Sequence, residues 1–213
     1  MAGVAHAAAV PFDLATVLVI MTVSLITPGP DMLLVLKNSL GGRSRGLSTV
    51  AGITVGLAVQ TTALSIGFTL LTAHTSAISE GLRWGGAGVL IWFGVRALVT
   101  RARSPRMNAA GSVAAMARDA FFEGLLCNLT NPKAFLFFTG LFSQLIRPDS
   151  PPWIPFALPA LLTVHGAVCW TVIALLLQTG GVAARLERAQ HILVRVFGAL
   201  LVLFGLGLVL WRP

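Results

Sequence analysis

Two short stretches carry the residues best suited to chemistry. Thr27-Pro28-Gly29-Pro30-Asp31 and Asn128-Leu129-Thr130-Asn131-Pro132-Lys133 each interrupt an apolar run with proline and one ionisable side chain. Proline takes away a backbone donor and clashes with the preceding turn, so each break leaves carbonyls without helical partners. A new helix can start at once: Asn131 is a good N-cap, Pro132 suits the first helical position, and Pro30-Asp31 repeats that order. A half-helix starting there offers free N–H groups and the positive end of its dipole, which attract an anion such as a carboxylate. Asp31 supplies the opposite chemistry and can hold an ammonium group or a proton. Lys133 can hold a carboxylate, or pair with Asp31 in an ion pair that merely fixes the fold. Nearby, Asn128 caps or lines the same place. Further off, His165 is a proton carrier or polar lining, and Gln60 is an interhelical hydrogen-bonding group or a solute contact. Glu123 is expected to pair with Arg118.

The elements that position these residues are apolar helices. The chain has 213 residues, 56% hydrophobic and 10% charged, with a mean hydropathy of +0.86, where soluble domains have roughly 25% charged residues. Runs of about 20 apolar residues can each cross a bilayer. Six are expected, at Asp13 to Leu36, Leu47 to Leu71, Leu82 to Val99, Asp119 to Ile146, Ile154 to Gln178 and Ile192 to Leu210. The alternation of β-barrel strands is missing, so the fold class is an all-α integral membrane protein. Gly52 and Gly56 in the second run, and Gly85, Gly86, Gly88 and Gly94 in the third, suit close helix packing.

Sliding the chain by 102 residues lays Pro30 on Pro132 and Asp31 on Lys133. The chain then divides into a three-helix repeat over 12–99, a linker over 100–118 and a second repeat over 119–211. Three is odd, so the second repeat is inverted, and each repeat begins with a broken helix, the design of secondary transporters. A small zwitterionic or charged solute crossing between the two breaks is the function this pattern supports.

The net charge of +8 is a topology signal rather than a nucleic-acid surface. Lys37, Arg43 and Arg45 follow the first run; Arg96, Arg101, Arg103, Arg106 and Arg118 surround the linker; Arg185, Arg188 and Arg195 surround the fifth connection. The other ends hold Arg83, Arg147 and Arg212. Basic connections stay in the cytoplasm, which puts both termini outside. The stretch Met1 to Pro11 has no basic residue and reads as a short tail, not a cleaved signal. Cys127 and Cys169 fall in apolar runs and are expected to be free thiols.

Beyond these features the chain resembles the LysE/RhtB family of amino-acid exporters, the homoserine, threonine and lysine efflux type. The resemblance rests on Thr27-Pro28-Gly29-Pro30-Asp31 with Leu33 and the basic loop after it, on Leu90-Ile91-Trp92-Phe93-Gly94, and on Gly124 with Asn128-Leu129-Thr130-Asn131-Pro132-Lys133-Ala134. It implies six membrane helices and export of amino acids or their derivatives across the inner membrane in exchange for protons. The residues it marks are Pro28, Gly29, Pro30, Asp31, Asn131, Pro132 and Lys133. The reading is therefore a secondary exporter and not an enzyme, with amino acid, protons and lipid as partners, no cofactor, no metal site and no nucleic acid; homo-oligomerisation stays open. A small-cation or metal exporter is the nearer alternative. A transmembrane thiol electron carrier is the remoter one, because Cys127 falls on Leu25 in the slide and has no matching thiol.

Overall fold

The computed structural model describes residues 14–72, 76–99, 116–148, 150–179 and 181–210. Their regular secondary structure is all helical: α1 (Leu14–Ile26), α2 (Pro30–Leu40), α3 (Arg43–Thr72), α4 (Ser76–Val99), α5 (Met116–Leu129), α6 (Pro132–Leu145), α7 (Ile154–Leu176) and α8 (Val182–Leu210). The tail Met1 to Pro11, Arg212 and the linker up to residue 115 lie outside the described residues. Helices α3 and α7 are each long and apolar enough to cross a membrane, and α1 with α2, bent by 59° at their break, make a third candidate span. The third expected run lies in α4, the fourth covers α5 and α6, and the sixth lies in α8.

Both proline stretches interrupt the helix where the residue types require it. The chain leaves α1 after Ile26 and re-enters helix at Pro30; it leaves α5 after Leu129 and re-enters at Pro132. Helix ends elsewhere differ from the sequence expectation. The expected loop from Lys37 to Gly46 shrinks to Gly41-Gly42, with Gly42 at φ 129°, a backbone conformation open to glycine. The expected connection from Thr179 to His191 is mostly helix, because α8 starts at Val182 just after Gly181 at φ 83°. Loss of apolar character marks the end of a membrane run, but helical hydrogen bonding continues past it into polar sequence.

Glycine sets the closest approach in the bundle. A side chain on Gly52 would collide with the Phe121 carbonyl, and one on Gly124 with the Thr49 carbonyl. A Cβ on Gly56 would stand 3.0 Å from that of Asn128. The small residues of α3 and α5 thus interlock the two backbones, which brings Asn128 against α3. Gly94 serves the same end where α4 meets the Gly198 carbonyl of α8.

Two apolar clusters fill the interior. One gathers Met21, Leu57, Phe137, Phe138, Leu141, Phe142 and Leu162 among others. The second holds Met32, Val35, Leu36, Val50, Ile53 and Trp170. The break at residues 27–29 falls between them.

Within α7, Pro159 has no N–H for the Pro155 carbonyl one turn earlier. The buried Ser65 hydroxyl of α3 donates to that carbonyl at 2.6 Å. Ser65→Ala leaves the carbonyl unpaired and is expected to cost about 1–3 kcal/mol of stability, read as a lower unfolding midpoint in detergent.

Candidate functional site

Helices α1 and α2 bring the first break, and α5 and α6 the second, to opposite walls of one cavity. Its polar lining is Ser24, Thr27, Asp31, Asn128, Asn131 and Lys133, with Gly29 beside them. Met21, Leu25, Met32, Leu57, Phe137, Phe138 and Trp170 supply the apolar remainder. The cavity volume is about 30 Å³, room for one or two waters and too small for an amino acid. A larger groove of about 580 Å³ runs along the outer face of α3 and α7, but its lining of Ile66, Leu70, Phe156 and Val164 with three threonines carries no charge. The ionisable groups are at the small cavity.

Asp31 is 6% exposed and Asn128 is 2% exposed. Asn128 Nδ2 donates to Asp31 Oδ2 at 2.9 Å, which ties α5 to α2. The other oxygens of that pair, Asp31 Oδ1 and Asn128 Oδ1, are buried and have no donor among the described residues. Buried acceptors without donors are costly and rare. These two line a cavity, so a ligand bearing several N–H donors would satisfy both.

Lys133 does something the sequence did not reveal. Its ammonium donates to the Ser24 carbonyl at 2.6 Å and the Thr27 carbonyl at 2.9 Å. The Ser24 carbonyl is the one that Pro28, four residues on, cannot serve. The Thr27 carbonyl is freed because the chain bends before Asp31. The lysine of the second break thus caps the end of the helix that the first break terminates, where the dipole is negative. Its ammonium also lies 5.0 Å from the Phe197 ring centre, within cation–π range. Among the described residues no ion pair joins Lys133 to Asp31.

The two new helix starts differ. Asn131 caps α6 as its type predicts, its side-chain oxygen accepting from the N–H of Lys133 at 3.0 Å and of Ala134 at 3.4 Å. Helix α2 starts from Gly29 in extended conformation, with Pro30 in its first turn and no side-chain cap.

The remaining sequence candidates lie elsewhere. Gln60 is buried one turn beyond Leu57, its Oε1 without a donor, and does not line the cavity. His165 is away from the cavity on α7, with Nε2 2.9 Å from Thr22 Oγ1 of α1 and 3.6 Å from Cys169 Sγ. The Thr22 hydroxyl donates to the Leu18 carbonyl, so Nε2 carries the proton in the arrangement that satisfies both bonds. Cys127 and Cys169 are free thiols, the first beside the Asp31 carboxylate and the second beside His165.

Glu123 pairs with Lys37, at 3.7 Å, and not with Arg118. Five residues of helix separate Arg118 from Glu123, so they do not share a face; Arg118 lies over the Phe122 ring instead. Behind the half-exposed Lys37–Glu123 pair, the buried Asn38 donates to Thr49 at 2.8 Å and to Glu123 at 3.2 Å. This end of α2 is therefore fastened to both α3 and α5.

A family model described as LysE type translocator matches residues 22–211 of the chain. The chain is 28% identical to the threonine efflux protein of Salmonella typhi, over 92% of this chain and 97% of that protein. It is 27% identical to the homoserine/homoserine lactone efflux protein of Salmonella typhimurium, over 84% and 87%. It is 30% identical to an uncharacterized membrane protein of Vibrio cholerae, over 87% and 89%. No solved structure matches the chain.

Proposed function

The chain belongs to the LysE type translocator family, and from that premise we propose that it is a secondary active exporter of amino acids or their derivatives, driven by proton exchange across the cytoplasmic membrane. The observation that carries the reading is the cavity between the two breaks, where Asp31 Oδ1 and Asn128 Oδ1 are buried without donors. An α-ammonium group supplies three N–H donors and a positive charge, which answers both oxygens and the carboxylate. Relatives named for threonine and for homoserine efflux point to a neutral amino acid, in keeping with a cavity in which Asp31 is the one acid.

The protein works in this reading as two inverted three-helix repeats. Thr61 and Thr163 stand 102 residues apart, the same offset that lays Pro30 on Pro132, and their hydroxyl oxygens are 3.5 Å from each other. A residue beside a two-fold axis meets its own counterpart, so this contact supports a pseudo-two-fold axis between α3 and α7. The small cavity, bordered by residues of both apolar clusters, has no room for the solute, so binding calls for the repeats to move. Opening to the cytoplasm moves α2 away from the α3–α5 pair, parting Lys37 and Asn38 from Glu123 and Thr49. The basic connections lie in the cytoplasm and the termini outside. The returning proton rides on Asp31 or on His165.

The test is efflux from proteoliposomes preloaded with labelled threonine, homoserine, lysine or leucine, with and without an imposed pH gradient. Protein-dependent efflux of a neutral amino acid, accelerated by the gradient, is expected. No movement of any amino acid refutes the function, and efflux indifferent to the gradient refutes the coupling.

A further inference from the structure

The two half-helix ends at the cavity are not equivalent, and we propose that the α-carboxylate of the exported solute docks on the N-terminus of α2, on the N–H groups of Asp31 and Met32. Lys133 holds the end of α1 and not the solute. This rests on the amino-acid exporter reading and adds which element receives which end of the molecule.

Three observations carry it. At α6 the Asn131 side chain already fills the place an anion would take, bonded to the N–H groups of Lys133 and Ala134. At α2 the first backbone bond back across the break is from the Leu33 N–H to the Gly29 carbonyl, no side chain caps the end, and among the described residues the N–H groups of Asp31 and Met32 make no backbone bond. Those N–H groups point out of the start of the helix, and both residues line the cavity. A capping oxygen is missing there because residue 29 is glycine.

The second pointer to a ligand is the buried, undonated Asp31 Oδ1 on the same helical turn, with Asn128 Oδ1 facing it. In an α-amino acid the carboxylate and the ammonium are attached to one carbon. A pair of unmet N–H donors beside a pair of unmet oxygens matches that head group, and neither half alone would specify it. Lys133 has two of its three donors committed to Ser24 and Thr27, which leaves it a supporting positive charge and a fixed position.

Gly29 gives the decisive variant. Gly29→Ser adds an N-cap oxygen that bonds the free N–H groups itself, so the helix keeps or gains stability while the carboxylate loses its place. Gly29→Ala adds the same Cβ, 3.1 Å from the flexible Lys133 Cδ, but no capping oxygen, and controls for crowding. Binding of threonine and of threoninamide, which lacks the carboxylate, is compared by calorimetry on full-length protein.

The wild type is expected to prefer threonine by about tenfold or more, the scale of hydrogen bonds to a charged group. In Gly29→Ser that preference falls to near unity with an unchanged or higher unfolding midpoint, whereas Gly29→Ala and Lys133→Arg retain most of it. A Gly29→Ser protein that prefers threonine as the wild type does overturns the assignment, as does a Lys133→Arg protein that alone loses the preference. A wild type that binds no amino acid at all refutes the exporter reading, a result distinct from either.

Discussion

Asp31→Asn is expected to lower export of the preferred amino acid by at least about a hundredfold while the protein still folds. Asparagine has nearly the same shape, and its side-chain oxygen can still accept from Asn128 Nδ2, the bond that now holds α2 to α5 at 2.9 Å. What disappears is the charge opposite the ammonium. Breaking a buried ion pair by removing one partner costs about 3–5 kcal/mol, which is two to three powers of ten in affinity. Initial efflux rates from proteoliposomes, matched for reconstituted protein, give the comparison, and a thermal unfolding curve shows whether the fold survived. Wild-type efflux from Asp31→Asn would remove Asp31 from the site.

Lys133→Met is expected to act on the fold itself. The variant keeps much of the apolar stem but deprives the Ser24 and Thr27 carbonyls of their donor. Each buried carbonyl left unpaired costs about 1–3 kcal/mol, so a total loss of about 2–6 kcal/mol is expected, a large share of the stability of most domains. Lys133→Arg restores donors and should recover a good part of that loss. The measurement is the unfolding midpoint of purified protein in one detergent for all three forms. A lysine whose task was to hold the solute would change binding and leave the empty protein's midpoint alone. An unshifted midpoint for Lys133→Met would therefore contradict the capping role.

The sequence made the breaks legible for a simple physical reason. Proline and an ionisable residue in an apolar run are each costly, and together they name the place where helical pairing must fail. The cap on α6 was equally readable, since Asn131 before Pro132 is local chemistry. Contacts made by backbone were not. Lys133 looks in sequence like half of an ion pair with Asp31, because sequence displays side-chain charge and hides orphaned carbonyls. The signal is nevertheless present: Pro28 guarantees that the Ser24 carbonyl lacks its partner, and Lys133 is a cation set near the middle of an apolar run, where Arg83, Arg96 and Arg195 stand near the ends of theirs.

Other features depended on packing between distant segments. Glu123 faces Lys37 because the interlocked glycines of α3 and α5 bring α5 beside α2, and nothing in the spacing of Arg118 and Glu123 foretells that. Asn38 and Thr49, which meet across the tight Gly41-Gly42 turn, are not legible as a pair because the Gly, Ser and Arg residues from 37 to 46 spell a longer loop. Helix ends are hidden in the sequence where α2, α3 and α8 continue into polar residues. His165 and Gln60 stand out as polar groups in apolar helices, yet only the fold tells that they do not line the cavity.

The size of the cavity explains how a site can be complete and still empty of room. About 30 Å³ admits water between Asp31, Asn128 and the start of α2, with apolar side chains lining the rest. Under the proposed function, binding requires the two breaks to separate while each keeps its internal bonds, the kind of motion that inverted-repeat transporters make about a fixed site. The Lys37–Glu123 pair is half exposed, and such surface pairs contribute about 0–1 kcal/mol, so releasing that contact presents a low barrier to opening.

The most direct measurement is an experimental structure of the protein bound to the amino acid it exports fastest. The solute's ammonium should lie within hydrogen-bond distance of Asp31 Oδ1 and Asn128 Oδ1 and its carboxylate against the Asp31 and Met32 N–H groups, with Lys133 still on the Ser24 and Thr27 carbonyls. A solute found instead in the groove between α3 and α7, or seated with its carboxylate on a Lys133 that has left those carbonyls, would contradict the account.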